Sequence, residues 1–173
     1  MKTILKTVYE KDETGKKLKV SRTFSAPKEL VWRAWTESAV IDEWWAPKPW
    51  KTDTIRMEFR VGGSWLYAMK GPDGDTHYSK CEFKSIREND DFEMSQFFCD
   101  VHGNKISPLP PPVWKIKFES LPDKNETAVT VEIEFYNAAQ LEEMIKMGFE
   151  QGFAMSHNNL DIYLENKLTV KTK

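Results

Sequence analysis

The feature that most constrains this chain is a change of period. Between Lys51 and Phe135 apolar residues recur at every second position in short runs, each closed by a turn; beyond Asn137 they recur at every third or fourth. Ile55, Met57 and Phe59 alternate with polar neighbours before Gly62-Gly63. Trp65, Tyr67 and Met69 share the next face before Gly71-Pro72-Asp73-Gly74. Further runs lie at His77–Ile86 and Phe92–Phe98, joined by Glu88-Asn89-Asp90-Asp91, and at Val113–Leu121 and Ala128–Phe135, joined by Pro122-Asp123-Lys124-Asn125. Short alternating runs separated by Gly, Pro, Asn and Asp predict an antiparallel meander with one buried face. A single helical run from about Ala138 to Lys167, capped by Asn137, supplies the element that covers that face. The pattern predicts an α+β chain: a twisted sheet with one long helix packed across it.

Ahead of the meander, Thr3–Tyr9 and Leu18–Phe24 are rich in β-branched and aromatic residues around Asp12-Glu13-Thr14-Gly15, which predicts a hairpin. Ser25 is a cap candidate for a helix with Pro27 in its first turn, and Leu30, Val31, Ala34 and Trp35 give that helix an apolar face. Ser38 is placed to cap a second short helix through Ile41, Trp44 and Trp45, stopped by Pro47 and Pro49. The segment Asp100–Pro112, which ends in Pro108-Leu109-Pro110-Pro111-Pro112, reads as a stiff loop, with a polyproline ligand as its alternative.

At 173 residues the chain suits one domain, large enough for a core without metal or disulfide staples. A net charge of −2 argues against general nucleic-acid binding, which needs a basic excess. No run reaches membrane-span length, and Lys6 interrupts the N-terminal apolar residues, so the expected location is the cytoplasm. Aromatic residues make up 13%, with seven Trp. Such a surplus either fills the core or lines a cavity.

The chemical signatures of common sites are missing. There is no Gly-rich phosphate loop, His-Glu-x-x-His motif, paired-cysteine metal motif or nucleophile elbow, so no catalytic residue, metal or cofactor is expected. Cys81 and Cys99 are too few for a zinc site or a disulfide scaffold. With the Glu88–Asp91 turn centred near Asp90, they are expected opposite each other on neighbouring strands, as free thiols. On the long helix, Ile145, Phe149, Phe153, Ser156, Leu160, Tyr163 and Leu164 share one broad face with His157 on its flank.

Several segments together resemble the START-like (SRPBCC) superfamily, in the branch related to the C-terminal domain of the activator of heat-shock protein 90 ATPase. They are Arg22-Thr23-Phe24-Ser25-Ala26-Pro27, Val31-Trp32-Arg33-Ala34-Trp35-Thr36, Trp44-Trp45-Ala46-Pro47, Gly62-Gly63-Ser64-Trp65, Met69-Lys70-Gly71-Pro72-Asp73-Gly74, and Gly152-Phe153 with Leu160 and Leu164. The resemblance implies a helix-grip fold over residues 18–167, preceded by an N-terminal hairpin strand and turn (1–17) and followed by a tail (168–173). It also implies a mostly apolar cavity between the sheet and the C-terminal helix. Trp65, Tyr67, Met69, Phe83, Trp114, Phe118, Phe149 and Phe153 are the expected lining, with His157 as polar contact and Trp44, Trp45 and Trp50 at the mouth. The expected function is binding of a small, largely apolar molecule. The alternatives are a co-chaperone that stimulates heat-shock protein 90, and a cyclase or hydrolase in which His157 and Tyr67 exchange protons.

Overall fold

Eight antiparallel strands form one curved sheet in the computed structural model, which describes residues 6–122 and 125–171. In chain order the elements are β1 (Val8–Lys11), β2 (Lys17–Phe24), α1 (Lys28–Thr36), α2 (Ser38–Trp44), β3 (Lys51–Met57), β4 (Ser64–Lys70), β5 (Thr76–Arg87), β6 (Asp91–Cys99), β7 (Val113–Leu121), β8 (Glu126–Glu134), α3 (Ala138–Lys146) and α4 (Phe149–Lys171). The sheet order is β1-β2-β8-β7-β6-β5-β4-β3, so the meander β3–β8 is continuous and the N-terminal hairpin closes onto its last strand. This is the helix-grip arrangement that the resemblance implies.

Alternation sets which side is buried. Leu18, Val20, Arg22 and Phe24 of β2, Trp114, Ile116 and Phe118 of β7, and Val129, Val131 and Ile133 of β8 all point into the concave side. One member of that set, Arg22, is charged. From α4, Phe153, Ser156, His157, Leu160 and Leu164 are buried against this surface. Burying a large apolar side chain contributes about 1.5–3 kcal/mol. Directed polar bonds tie α4 to the end of α2. Ser156 Oγ donates to the Trp45 carbonyl at 2.7 Å, and Asn159 Nδ2 donates to the Ala46 carbonyl at 3.1 Å.

Several local expectations are corrected. Among the described residues the first strand is Val8–Lys11; Thr3, Ile4 and Leu5 lie outside the described residues. Neither Ser25 nor Ser38 caps a helix. Pro27 precedes α1, its carbonyl accepting from Leu30 and Val31, and Glu37 precedes α2; neither position carries a side-chain cap. Cys81 is opposite Gln96, and Cys99 is opposite Tyr78, because the tight Glu88–Asp90 turn and a bulge between Phe83 and Ser85 displace the register. Both thiols are free and buried.

The single C-terminal helix is two. Asn137 does cap the first, its Oδ1 accepting from the Gln140 amide at 2.8 Å. At Gly148 the backbone turns to φ +90°, where a side chain would be strained, and α4 starts afresh at Phe149. The restart lets a short amphipathic α3 bury Leu141 while α4 takes its own direction across the sheet.

Candidate functional site

Phe153 is the hub of the interior. Its ring centroid is 4.2 Å from His157, 5.2 Å from Phe149, 5.8 Å from Trp114, 5.9 Å from Trp45 and 6.4 Å from Trp35. Trp45, the last residue before the α2–β3 connection turns away, reaches Trp65 at 5.4 Å and Tyr67 at 6.4 Å. Trp65 and Tyr67 stack at 4.0 Å. Seven of the expected residues, Trp45, Trp65, Tyr67, Trp114, Phe149, Phe153 and His157, thus form one continuous ring assembly. Most of its contacts are edge-to-face, each contributing about 0.5–1.5 kcal/mol beyond simple burial.

The remaining expected residues sit elsewhere. Phe118 packs at 5.1 Å against Trp32, and Phe83 at 4.9 Å against Phe59. Phe92 joins these two pairs into a second aromatic group, under α1. Trp44 is fully buried, with its Nε1 donating to the Ala34 carbonyl at 2.9 Å. Met69 is half-buried at the end of β4. Trp50 lies over Gly71, where a Cβ would come within 2.9 Å of the indole, and packs tilted against His77 at 5.5 Å. Trp32, Trp35 and Phe92, which the sequence pattern did not single out as lining, connect the two groups.

The rings close on one another. Between Trp35, Trp45, Trp65, Phe83, Phe92 and Met94 no space wide enough for a water molecule remains. A wider depression of about 460 Å³ opens on the convex face, but its walls carry ion pairs such as Arg87–Asp91 and Lys115–Glu93. That chemistry does not suit an apolar molecule.

Polar groups inside the concave side form two sets. Tyr67 Oη accepts from Trp45 Nε1 at 3.0 Å, with Ser79 and Gln96 buried nearby. Burial raises the Tyr67 phenol far above its ordinary pKa, which keeps it neutral. The second set surrounds Arg22, whose side chain is 3% exposed. Arg22 Nη1 donates to Thr7 Oγ1 at 2.9 Å. Its Nη2 donates to Asn158 Oδ1 at 3.1 Å and pairs with Asp161 Oδ2. Thr7 Oγ1 is also 2.8 Å from His157 Nδ1. Since Thr7 already accepts from Arg22, its hydroxyl proton is free to go to Nδ1, which places the imidazole proton on Nε2.

His157 is buried, at 1% exposure. Burial first, and the Arg22 charge second, depress its pKa from 6.5 to about 3. A neutral imidazole at every physiological pH is a hydrogen-bonding group and a poor proton shuttle. Its Nε2, with Trp35 Nε1, Trp114 Nε1 and Arg22 Nε, has no hydrogen-bond partner among the described residues. An unpaired buried donor costs about 1–3 kcal/mol. Sequence reasoning overlooked Arg22, although the alternation Leu18-Val20-Arg22-Phe24 already places it on the inward face.

No group of three or more potential metal ligands occurs among the described residues, and none of their helices is long and apolar enough to cross a membrane. The chain has its counterparts in solved structures. It is similar to protein Ms6760 from Mycobacterium smegmatis, at 23% identity and a TM-score of 0.84, over 92% of this chain and 96% of that one. A protein from Arthrobacter aurescens is 29% identical at a TM-score of 0.84, covering 92% and 91%. One from Staphylococcus epidermidis is 26% identical at 0.80, covering 92% and 94%. No curated protein matches the chain. The family model described as activator of Hsp90 ATPase homolog 1-like protein matches residues 25–165, from the residue after β2 to well inside α4. With that match over most of its length and the helix-grip sheet that carries it, the chain belongs to the activator of Hsp90 ATPase homolog 1-like family of the START-like superfamily.

Proposed function

We propose that the protein binds a small, largely apolar molecule between the concave sheet and α4, displacing ring–ring contacts around Phe153. The observation that carries this reading is the set of unpaired donors. Trp35 Nε1, Trp114 Nε1 and His157 Nε2 all belong to rings packed on Phe153, and none has an acceptor among the described residues. A core selected for stability alone has no use for three such donors, each of which opposes folding. A ligand carbonyl or hydroxyl that enters beside Phe153 pairs with them, and its apolar body replaces the rings it parts. The family is compatible with this, since START-like folds commonly bind apolar ligands. With no proton-transfer group poised near neutral pH among these residues, binding without chemistry is the simplest activity.

Seven Trp provide the readout. Titration with a panel of fatty acids, sterols and aromatic polyketides is expected to change indole emission and raise Tm for at least one class. Silence in both measurements across the panel would refute the proposal. It would also favour the second reading, contact with a protein partner such as a chaperone, which rests on a different surface. Phe98, Val101, Ile106 and Leu109 expose 41–69% of their area around the β6–β7 loop, an apolar cluster suited to a protein surface. Stimulation of an Hsp90 ATPase by this protein, lost in Ile106→Asp, is the corresponding test.

A further inference from the structure

Thr7 Oγ1 occupies a position where two nitrogens converge, 2.9 Å from Arg22 Nη1 and 2.8 Å from His157 Nδ1. Thr7 is a half-buried residue just ahead of β1, outside the paired register, which begins at Val8. The groups it satisfies are anchored far more firmly. Arg22 lies within β2, opposite Val129 of β8, and His157 lies within α4. Two rings flank the imidazole, Phe24 at 5.5 Å and Phe153 at 4.2 Å, and the Arg22 guanidinium carbon stands 5.7 Å over Phe24. A buried cation, an imidazole and an apolar wall therefore share one spot, held closed by a single hydroxyl.

We propose that the Arg22–His157 pair is a carboxylate site for an apolar acid, and that Thr7 Oγ1 holds the place of one ligand oxygen. The inference rests on the ligand-binding reading above and specifies the polar end of the molecule. A carboxylate oxygen in place of Thr7 Oγ1 takes an N–H from Arg22 and, once the imidazole proton has moved from Nε2 to Nδ1, a second from His157; Nε2 is then an acceptor, and the donors left for the rest of the ligand are those of Trp35 and Trp114. The negative charge of that oxygen also suits the Arg22 guanidinium better than a neutral acceptor does. Charge is accommodated by Asp161, the ion-pair partner of Arg22. Its side chain is 37% exposed, so it can turn to solvent when the ligand carboxylate takes over. The hydrocarbon then lies along Phe24 and Phe153, which places the entrance between the start of β1 and α4.

The test uses the intact protein, its own tryptophan emission, and three probes of equal chain length: dodecanoic acid, methyl dodecanoate and 1-dodecanol. The acid is expected to bind about tenfold or more tightly than either neutral probe, because a charge-assisted hydrogen bond is about twice as strong as a neutral one. Thr7→Ala removes the internal competitor and is expected to tighten the acid several-fold, on the order of one hydrogen bond, while leaving the ester unchanged. Arg22→Gln is expected to erase the preference for the acid. If that variant fails to fold, the three-probe comparison in the unaltered and Thr7→Ala proteins still decides. Equal affinity for acid and ester, or an acid affinity indifferent to Thr7→Ala, overturns the carboxylate site and leaves ligand binding standing. Failure of all three probes, with the wider panel also silent, overturns both.

Discussion

His157 should make the stability of this protein fall steeply between pH 6.5 and 5. The imidazole is 1% exposed and its pKa is depressed from 6.5 to about 3 in the folded chain. Below pH 6.5 the unfolded chain takes up a proton that the folded chain refuses, so protonation pulls the equilibrium toward unfolding. The contribution is fully present above pH 6.5 and is lost as pH falls toward 3. At 1.36 kcal/mol per pH unit the whole displacement is worth on the order of 5 kcal/mol, and the interval from 6.5 to 5 about 2 kcal/mol. For a domain of this size that is a drop of roughly 4–8 °C in Tm. Three of the shifted carboxylates do not mask it, and a fourth offsets part of it. Asp12, Asp91 and Asp100 are held below the ordinary carboxylate range by their hydrogen bonds, so their losses come at lower pH. Asp161 is raised by burial and works in the opposite direction. The assay is urea unfolding at constant ionic strength across pH 5–8, comparing the unaltered protein with His157→Gln. The slope between 5 and 6.5 is expected to flatten in the variant; parallel curves would show that the imidazole is not buried as a neutral group.

Two further outcomes follow from the packing. Phe153→Ala removes the ring that five others touch and is expected to cost about 3–5 kcal/mol in urea unfolding. A loss below about 1 kcal/mol would mean that the neighbouring rings collapse into the space and that Phe153 is no hub. Asn137→Ala removes the α3 cap and is expected to cost about 1 kcal/mol. Because Gly148 separates α3 from α4, faster amide exchange should appear at Gln140 and its neighbours while the α4 amides stay protected.

Architecture was legible because it depends on period, and period survives local error. The change from two to about 3.6 near Asn137 separates sheet from helix, and the burial of side chains within β2, β7 and β8 follows the alternation. What failed depends on single residues. Ser25 and Ser38 have the right chemistry for caps, but Pro27 and Glu37 hold the cap positions. The Cys81–Cys99 register needed the centre of a turn and the absence of a bulge, and alternation reports neither. Gly148 is visible in the sequence, yet whether a glycine breaks or merely weakens a helix is decided by φ. Here φ is +90°, and the helix ends.

The site is harder to read for a physical reason. Inward-facing aromatics on β7 and α4 meet directly, whereas those of β4 join them through Trp45 at the end of α2, so alternation anticipates only part of the ring assembly. Whether the rings leave space depends on tenths of an ångström at each contact, far finer than any periodic signal. The polar set at Arg22 was accessible and carried more information than the aromatics. A cation on the inward face of a strand has to find compensation, and the strand register with α4 across it limits the candidates to a few residues. Thr7, Asn158, Asp161 and, through Thr7, His157 answer that demand. Their replacement by well-packed apolar residues of similar volume would leave the fold no worse off, since buried ion pairs contribute little net stability. Stability therefore does not account for Arg22, which is in keeping with the proposal that Arg22 and His157 receive a ligand oxygen at the place of Thr7 Oγ1.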